Sequence, residues 1–353
     1  MSSFHLSQEK NTAPEEQPRI DRIQPLSALP GGEIRIIGNG LRAKELRRPT
    51  ILFGDQEGAV VVSSDQFVVA RVPYGAAGDS VVIATNGHKS NSHEVHVANT
   101  IAENLHPVTN PALDLEGNIF ATFSGARGQK VPICIYKIDK SYTMKPFVTE
   151  MMNPTSIAFD REGWMYVSSR HDGTVYRVAS NGTVSSYAEG MGIATGIAFD
   201  QNEDLYVGDR SGTIFKIARD RQIFVFATLE PSVSAYHLAF GPEGDLFVTG
   251  PTISSFDRVY KIDTHGTVST FYRGLGRPQG LAFDANGNLY VAASLAGQRG
   301  IVKITPDAKA SLEVAGSGLV GLAFAPGRSA ILATTNALHR LEWNIQGLPL
   351  LRG

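Results

Sequence analysis

The chain has a single cysteine, Cys134, among 353 residues. An intramolecular disulfide and a zinc centre built on cysteines are both excluded, so the fold must rest on its core. Charge of one sign is also missing, since 32 Lys and Arg stand against 34 Asp and Glu, a formal net charge of −2. That balance leaves no positive footprint for nucleic acid. No apolar run reaches the ~18 residues of a membrane-spanning helix. The first ten residues lack the basic start and apolar stretch of a secretory signal, so a cytoplasmic protein with no membrane partner is expected. What the chain does have is glycine, 36 residues, well above the ordinary ~7%. With hydrophobic residues at 42% and charged residues at 19%, this suits a folded protein with many tight turns.

Residues 1–17 are polar, without an apolar face, and read as a flexible tail. From Pro18 the pattern changes to short β-branched runs at 33–37, 50–53, 59–62, 67–72, 80–84 and 94–97. Between them Pro30-Gly31-Gly32, Gly38-Asn39-Gly40, Gly54-Asp55, Gly75 and Asn86-Gly87 supply turn positions. About six strands in some 80 residues predict a small β-sandwich.

Three stretches carry a specific resemblance: Pro18-Arg-Ile-Asp-Arg-Ile-Gln-Pro25, Pro30-Gly-Gly-Glu-Ile-Arg-Ile-Ile-Gly38-Asn-Gly-Leu41, and Pro49-Thr-Ile-Leu-Phe-Gly54 with Val72-Pro73. Residues 18–98 resemble the TIG (IPT) immunoglobulin-like domain. The resemblance implies a spacer or interaction module and no catalysis.

The rest of the chain, residues 99–353, repeats itself. Phe159, Phe199, Phe240, Phe283 and Phe324, with Leu113 before them, are spaced by 46, 40, 41, 43 and 41 residues and close six similar runs such as Gly280-Leu-Ala-Phe-Asp284. Each unit holds an apolar run, a turn and three further short strands, which predicts a β-propeller of six blades. The residue before each of these positions is alanine in all six runs: Ala112, Ala158, Ala198, Ala239, Ala282 and Ala323. This predicts crowding where the inner strands converge on the axis. The last blade is expected to close within itself, with 341–343 in its third strand and 348–351 as a short fourth. Altogether the sequence predicts an all-β protein, a small immunoglobulin-like β-sandwich followed by a six-bladed β-propeller.

The repeats resemble the NHL-repeat and gluconolactonase-like (senescence marker protein) propellers, most clearly in Arg277-Pro-Gln-Gly-Leu-Ala-Phe-Asp-Ala-Asn-Gly-Asn-Leu-Tyr-Val291. In the gluconolactonase-like enzymes a divalent metal is held by Glu, Asn and Asp at the starts of the inner strands. That resemblance maps the ligand position onto Thr109, Thr155, Thr195, Tyr236, Gln279 and Val320. None is acidic, whereas a hard dication needs carboxylate charge to offset its dehydration. No cofactor is therefore expected. A shifted site using Asn110 or Asp209, with a cation such as calcium, belongs to the alternative reading of a lactone or ester hydrolase.

The repeated Asp114, Asp160, Asp200 and Asp284 sit at the first position of turns whose fourth residue is Gly117, Gly163, Glu203 or Gly287, and are read as turn caps. Ser156 and His237 lie at strand starts without a Gly-x-Ser-x-Gly elbow, and Cys134 reads as a small core residue. The richest chemistry falls at one mouth of the channel, with Tyr236, His237, Arg277 and Gln279 facing Asn110, Thr155 and Thr195. Such a ring would hold a small polar or anionic ligand, Arg277 supplying a fixed fork and Tyr236 a stacking face. Longer loops at 123–131, 250–258 and 294–300 would make that surface asymmetric. A binding or scaffold protein, with a small ligand or a protein partner, is the favoured function.

Overall fold

A computed structural model describes residues 17–44, 47–76, 79–125, 129–254 and 256–349. The expected tail lies outside them except for Gln17, as do positions 350 and 351 of the expected last strand. The described residues form strands and turns throughout, and no helix is long and apolar enough to cross a membrane.

Five of the six strands expected in the N-terminal domain are present, while the expected strand at 94–97 splits into His93–Glu94, which pairs with Ser80–Thr85, and His96–Val97, which pairs in another sheet; Arg19–Gln24, Ser27–Ala28 and His88–Lys89 are additional. The two layers are joined edge to edge, because Gln56–Ser63 pairs with Thr50–Phe53 on one side and Phe67–Arg71 on the other. Alternation drives the layering. In Glu33–Asn39, Ile34 and Ile36 are fully buried between exposed Glu33 and Arg35, as a two-residue period demands. With Ile51, Phe53, Val81 and Ile83 they form the core of this domain.

The propeller repeats form sheets around one axis. Innermost strands of successive repeats contact one another, and Ala112–Leu113 meets Leu319–Ala325 to complete the ring. Burial falls outward along each sheet. In the repeat that begins at Pro154, Met165–Ser169 is wholly buried, while Val184–Ala188 is mostly open. Adjacent repeats are locked by an aromatic ladder in which Tyr166 meets Phe199, Tyr206 meets Phe240, Phe247 meets Phe283 and Tyr290 meets Phe324, all edge-on at 4.8–5.3 Å. Edge-on pairs add about 0.5–1.5 kcal/mol each beyond their burial.

Two expectations need correction. Five sheets are four-stranded, not six. The repeat around Gly280 merges with the N-terminal domain, its outer strand Ala310–Ala315 pairing in parallel with Ser27–Ala28, which pairs in turn with His96–Val97. Its sheet thus has six strands. Leu29 seals the junction, its N–H donating to the Ala315 carbonyl at 2.8 Å and its side chain packing with Tyr290 and Val314. The last sheet also does not close on itself. Ala337–Glu342 is its third strand, but the fourth is Asn99–Glu103 from the start of the propeller. The described part of the segment expected there lies instead against the inner strand of the preceding repeat, where the Leu348 N–H donates to the Phe283 carbonyl at 2.9 Å and the Ala285 N–H to the Gln346 carbonyl at 2.8 Å.

Candidate functional site

The inner strands come closest together at the level of Asn110, Ser156, Gly196, His237, Gly280 and Gly321. A Cβ on Gly280 would lie 2.0 Å from Asn110 Oδ1 and 2.5 Å from Gly321 Cα, and one on Gly196 would lie 2.5 Å from the Tyr236 carbonyl oxygen. Glycine is needed there for close approach. Asn110 fills the space so left. Its Nδ2 donates to the Leu281 carbonyl at 2.8 Å, and its Oδ1 accepts from the Leu322 N–H at 3.1 Å. One side chain thereby bridges three repeats.

One residue earlier, Thr109, Thr155, Thr195, Tyr236 and Val320 are buried and Gln279 is half-buried, and groups at this level hold neighbouring repeats together. Thr109 Oγ1 donates to the Thr155 carbonyl at 2.7 Å, and Ser168 Oγ donates to the Thr195 carbonyl. Thr195 Oγ1 donates to the Gly208 carbonyl at 2.8 Å and accepts from the Tyr236 N–H at 3.0 Å. Thr249 Oγ1 donates to the Gln279 carbonyl, and the Gly280 N–H to that of Val320. The Tyr236 hydroxyl donates to the Glu230 carbonyl, and burial holds its pKa far above the phenol's ordinary value.

This donor set does not fit a divalent cation. Both polar atoms of Asn110 are engaged by backbone. Asp209 is buried, with its carboxylate accepting from the Ile193 N–H at 2.8 Å and from Ser211 Oγ. Among the described residues no three His, Cys, Asp or Glu side chains gather as metal ligands.

On the same face Arg277 is exposed and has a φ of 50°, in the left-handed region. Gln279 is brought beside it by a residue that the sequence reading missed. Arg299 donates through Nη2 to Gln279 Oε1 at 2.6 Å and to the Leu319 carbonyl, and through Nη1 to the Arg277 carbonyl at 2.9 Å. Burial, reinforced by neighbouring Arg277, lowers its pKa to about 10. The available signal was the long loop at 294–300, which carries it. All three longer loops join second and third strands of their repeats and therefore emerge on this face, although residues 126–128 and 255 of two of them lie outside the described residues.

Beyond the constriction the axis opens into a cavity of about 550 Å³. All six alanines line it, with Phe159, Phe199, Phe240, Phe283 and Phe324. The expected crowding at alanine is thus corrected. Packing is tightest at the glycine level, and the alanines are half-buried because they face open space. Asn110, Ser156 and His237 form the floor. The rim consists of Leu115, Gly163, Gln201, Pro242, Leu348 and Pro349, at the ends of the inner strands and opposite the face carrying Arg277. His237 is only 3% exposed, its Nε2 has no hydrogen-bond partner, and burial aided by Arg299 pushes its pKa down to about 3.

The turn aspartates are caps. Asp160 Oδ1 accepts from the N–H groups of Glu162 and Trp164 at 3.0 and 2.9 Å, and Asp284 Oδ1 from Asn286 and Asn288 at 2.9 and 2.8 Å. Gly163 and Gly287 have positive φ, as does Glu203 in the equivalent turn. Cys134 is fully buried, donates to the Val148 carbonyl, and has its pKa raised by desolvation. This is the environment of an unreactive thiol.

Residues 18–98 match the family described as the IPT/TIG domain. No curated protein matches the chain. Among solved structures it is similar to a protein assigned as a gluconolactonase, at 17% identity over 72% of this chain and 94% of the other, with a TM-score of 0.60. It is similar to an auxiliary nutrient binding protein from Bacteroides thetaiotaomicron at 11% identity, covering 94% and 99%, TM-score 0.56. A catalytically inactive virginiamycin B lyase from Staphylococcus aureus with quinupristin gives 15% identity, 83% and 98% coverage, and a TM-score of 0.52. At such identities the likeness is one of fold, and propeller folds host binding proteins and enzymes alike.

Proposed function

We propose that this is a ligand-binding propeller whose axial cavity takes a small, largely apolar molecule, with the immunoglobulin-like domain as a rigidly attached accessory. The observation that carries this reading is the cavity itself. Its volume of about 550 Å³ falls within the roughly 300–1,000 Å³ of small-molecule sites, and apolar walls over a few polar groups are their usual lining. The N-terminal domain contributes no residue to it.

The hydrolase alternative has less support. Ser156 and His237 share the floor, but a histidine whose pKa is pushed down to about 3 is a weak general base near neutral pH, and among the described residues no carboxylate orients it. A second binding reading, a small anion held at Arg277 on the opposite face, is favoured by one observation. Arg277 and Arg299 lie side by side, and among the described residues neither has a carboxylate partner.

Replacement of Ala198 or Ala239 by Leu tests the main reading by filling the cavity. Small apolar compounds that raise the Tm of the native protein should lose that effect in both variants. Retention of the full shift would overturn the reading. Arg277→Ala separates the second, since it should abolish anion binding there and leave the cavity ligand untouched.

A further inference from the structure

Each sheet of a propeller ends at an outer strand whose far side has no neighbour, and such edges are blunted by charge, proline or polar side chains, or are covered. Five of the six outer strands here follow that rule. Met144–Val148 carries exposed Lys145 and Pro146, Val184–Ala188 exposed Ser185 and Ser186, Val268–Leu275 exposed Ser269 and Thr270, and Asn99–Glu103 exposed Asn99 and Thr100. The edge of Ala310–Ala315 is covered by Ser27–Ala28, so an outer strand of this propeller does accept a further strand. Ile223–Thr228 is different. It ends its sheet without a neighbour among the described residues, and it exposes Ile223 at 41%, Phe224 at 48% and Val225 at 65%. No charged side chain stands between Arg221 and Glu230.

The backbone of this strand fixes how a partner would pair. The Ala218 N–H donates to the Gln222 carbonyl at 2.9 Å across the turn that joins it to Thr213–Ile217. Hydrogen-bonded positions alternate along an antiparallel pair, so Phe224, opposite Lys216, bonds inward, while Ile223 and Val225 turn their N–H and C=O groups outward. The side chains divide too. Phe224 shares a face with Lys216 and Tyr206, whereas Ile223 and Val225 share the other with Ile217 and Phe215. The edge is therefore apolar on both faces, with backbone groups on offer between them. Its ends differ in charge. Exposed Arg221 stands before the strand and exposed Glu230 after it, while Asp220 is engaged by the Gln222 N–H at 3.0 Å and by the Gln222 amide at 2.9 Å.

We propose that Ile223–Thr228 is a homodimer interface, pairing antiparallel with the same strand of a second copy of this chain about a two-fold axis at Phe224. Self-pairing meets each feature of the edge at once. Ile223 of one copy lies opposite Val225 of the other, so the outward backbone groups of both are satisfied and apolar side chain meets apolar side chain. Phe224 meets its own copy at a non-hydrogen-bonded position, where opposed side chains are closest. Reversal sets the Arg221 end of one copy beside the Glu230 end of the other, whereas a parallel copy would align like charges. The contact consumes the edge on both chains, so assembly stops at two. Six residues a side fall well short of the roughly 20–30 of a standard interface, which sets the dimer in the weak, reversible range, with Kd about 10–100 µM.

Sedimentation velocity at roughly 1–200 µM on the native chain, Val225→Lys and Ser185→Lys tests the proposal, with thermal unfolding to establish that each is folded. The native chain should pass from monomer to dimer over that range. Val225→Lys, at a position already 65% exposed, should stay monomeric with its Tm unchanged, since lysine on an edge strand blocks pairing. Ser185→Lys, on the outer strand of the neighbouring repeat, should dimerise as the native chain does. Mild oxidation of the dimer reads the register. Phe224→Cys should form linked dimers at least about five-fold faster than Val225→Cys, because a non-hydrogen-bonded pair brings its Cα atoms to ~4.5 Å, within disulfide reach. The native thiol does not interfere, since Cys134 is buried. A native chain that remains monomeric throughout overturns the proposal and leaves the edge to a strand of another protein. A dimer that persists in Val225→Lys lies elsewhere on the surface and overturns it as well, and faster linkage through Val225→Cys overturns the two-fold at Phe224.

Discussion

The two ends of the propeller axis are built from the same six sequence runs yet do opposite things. At the start of each run, glycine or a short polar side chain lets backbones approach until hydroxyl, amide and N–H groups bridge one repeat to the next. Two residues later, alanine offers no group to span the axis, and a cavity remains. Closure therefore follows from close backbone approach and hydrogen-bonding reach together. A ring of small apolar residues is a wall, while small polar residues one step away make a floor.

The largest effect that sharpens this contrast is expected at Gly280. Its alanine variant would place a methyl 2.0 Å from Asn110 Oδ1 and should cost more than ~3 kcal/mol or prevent folding, as overpacking at a site with no room does. Gly163→Ala, in a turn at the rim with no atom within 4 Å of the added carbon and a φ of 85°, should cost only about 1–2 kcal/mol of backbone strain. Equal urea midpoints for the two variants would erase the distinction between the ends. Asn110→Ala comes next, at about 2–4 kcal/mol, because it strands the Leu281 carbonyl and the Leu322 N–H.

The acid dependence of stability probes the floor itself. His237 is neutral when folded, with its pKa pushed down to about 3, and titrates near its ordinary ~6.5 when unfolded. The unfolded chain thus takes up a proton first, so the contribution is complete above about pH 6.5. It is lost as pH falls, by up to about 1.4 kcal/mol per pH unit. His339, lowered to about 4 by burial, acts in the same direction. Denaturation between pH 6.5 and 5 should show a shallower slope in His237→Phe, and an unchanged slope would mean that the imidazole is not held neutral.

The smallest expected effect is at the other face. Arg277→Ala removes an exposed side chain and should shift stability by no more than ~0.5 kcal/mol. A larger loss in thermal unfolding would show that this end depends on its surface charge and not on its buried bridges.

Much of the fold was legible because propeller repeats write themselves in period and punctuation, from the recurring aromatic to the aspartate-capped turns. The merged sheet was not. Two-residue pairings at Ser27–Ala28 and His96–Val97 are too short to leave an alternating pattern. The closing strand Asn99–Glu103 was hidden for another reason, since it sits at a domain boundary and its partner is more than 230 residues away. At the site, position along the repeat singled out His237 and Asn110, and both line the axial cavity. Spacing could not say that Thr155, Thr195 and Tyr236 turn toward neighbouring backbone, nor that Arg299 reaches in from an outer hairpin. The alanines were visible but ambiguous, because a small residue marks either tight packing or open space.

The most direct test of the account is where an inert apolar probe settles. Xenon prefers dry apolar cavities over polar surfaces, so crystals of the protein pressurised with the gas should show it on the axis between the ring of alanines and the ring of phenylalanines. Xenon found only elsewhere, or an axial cavity filled by ordered water under pressure, would contradict the claim that this end of the propeller is built to hold an apolar ligand.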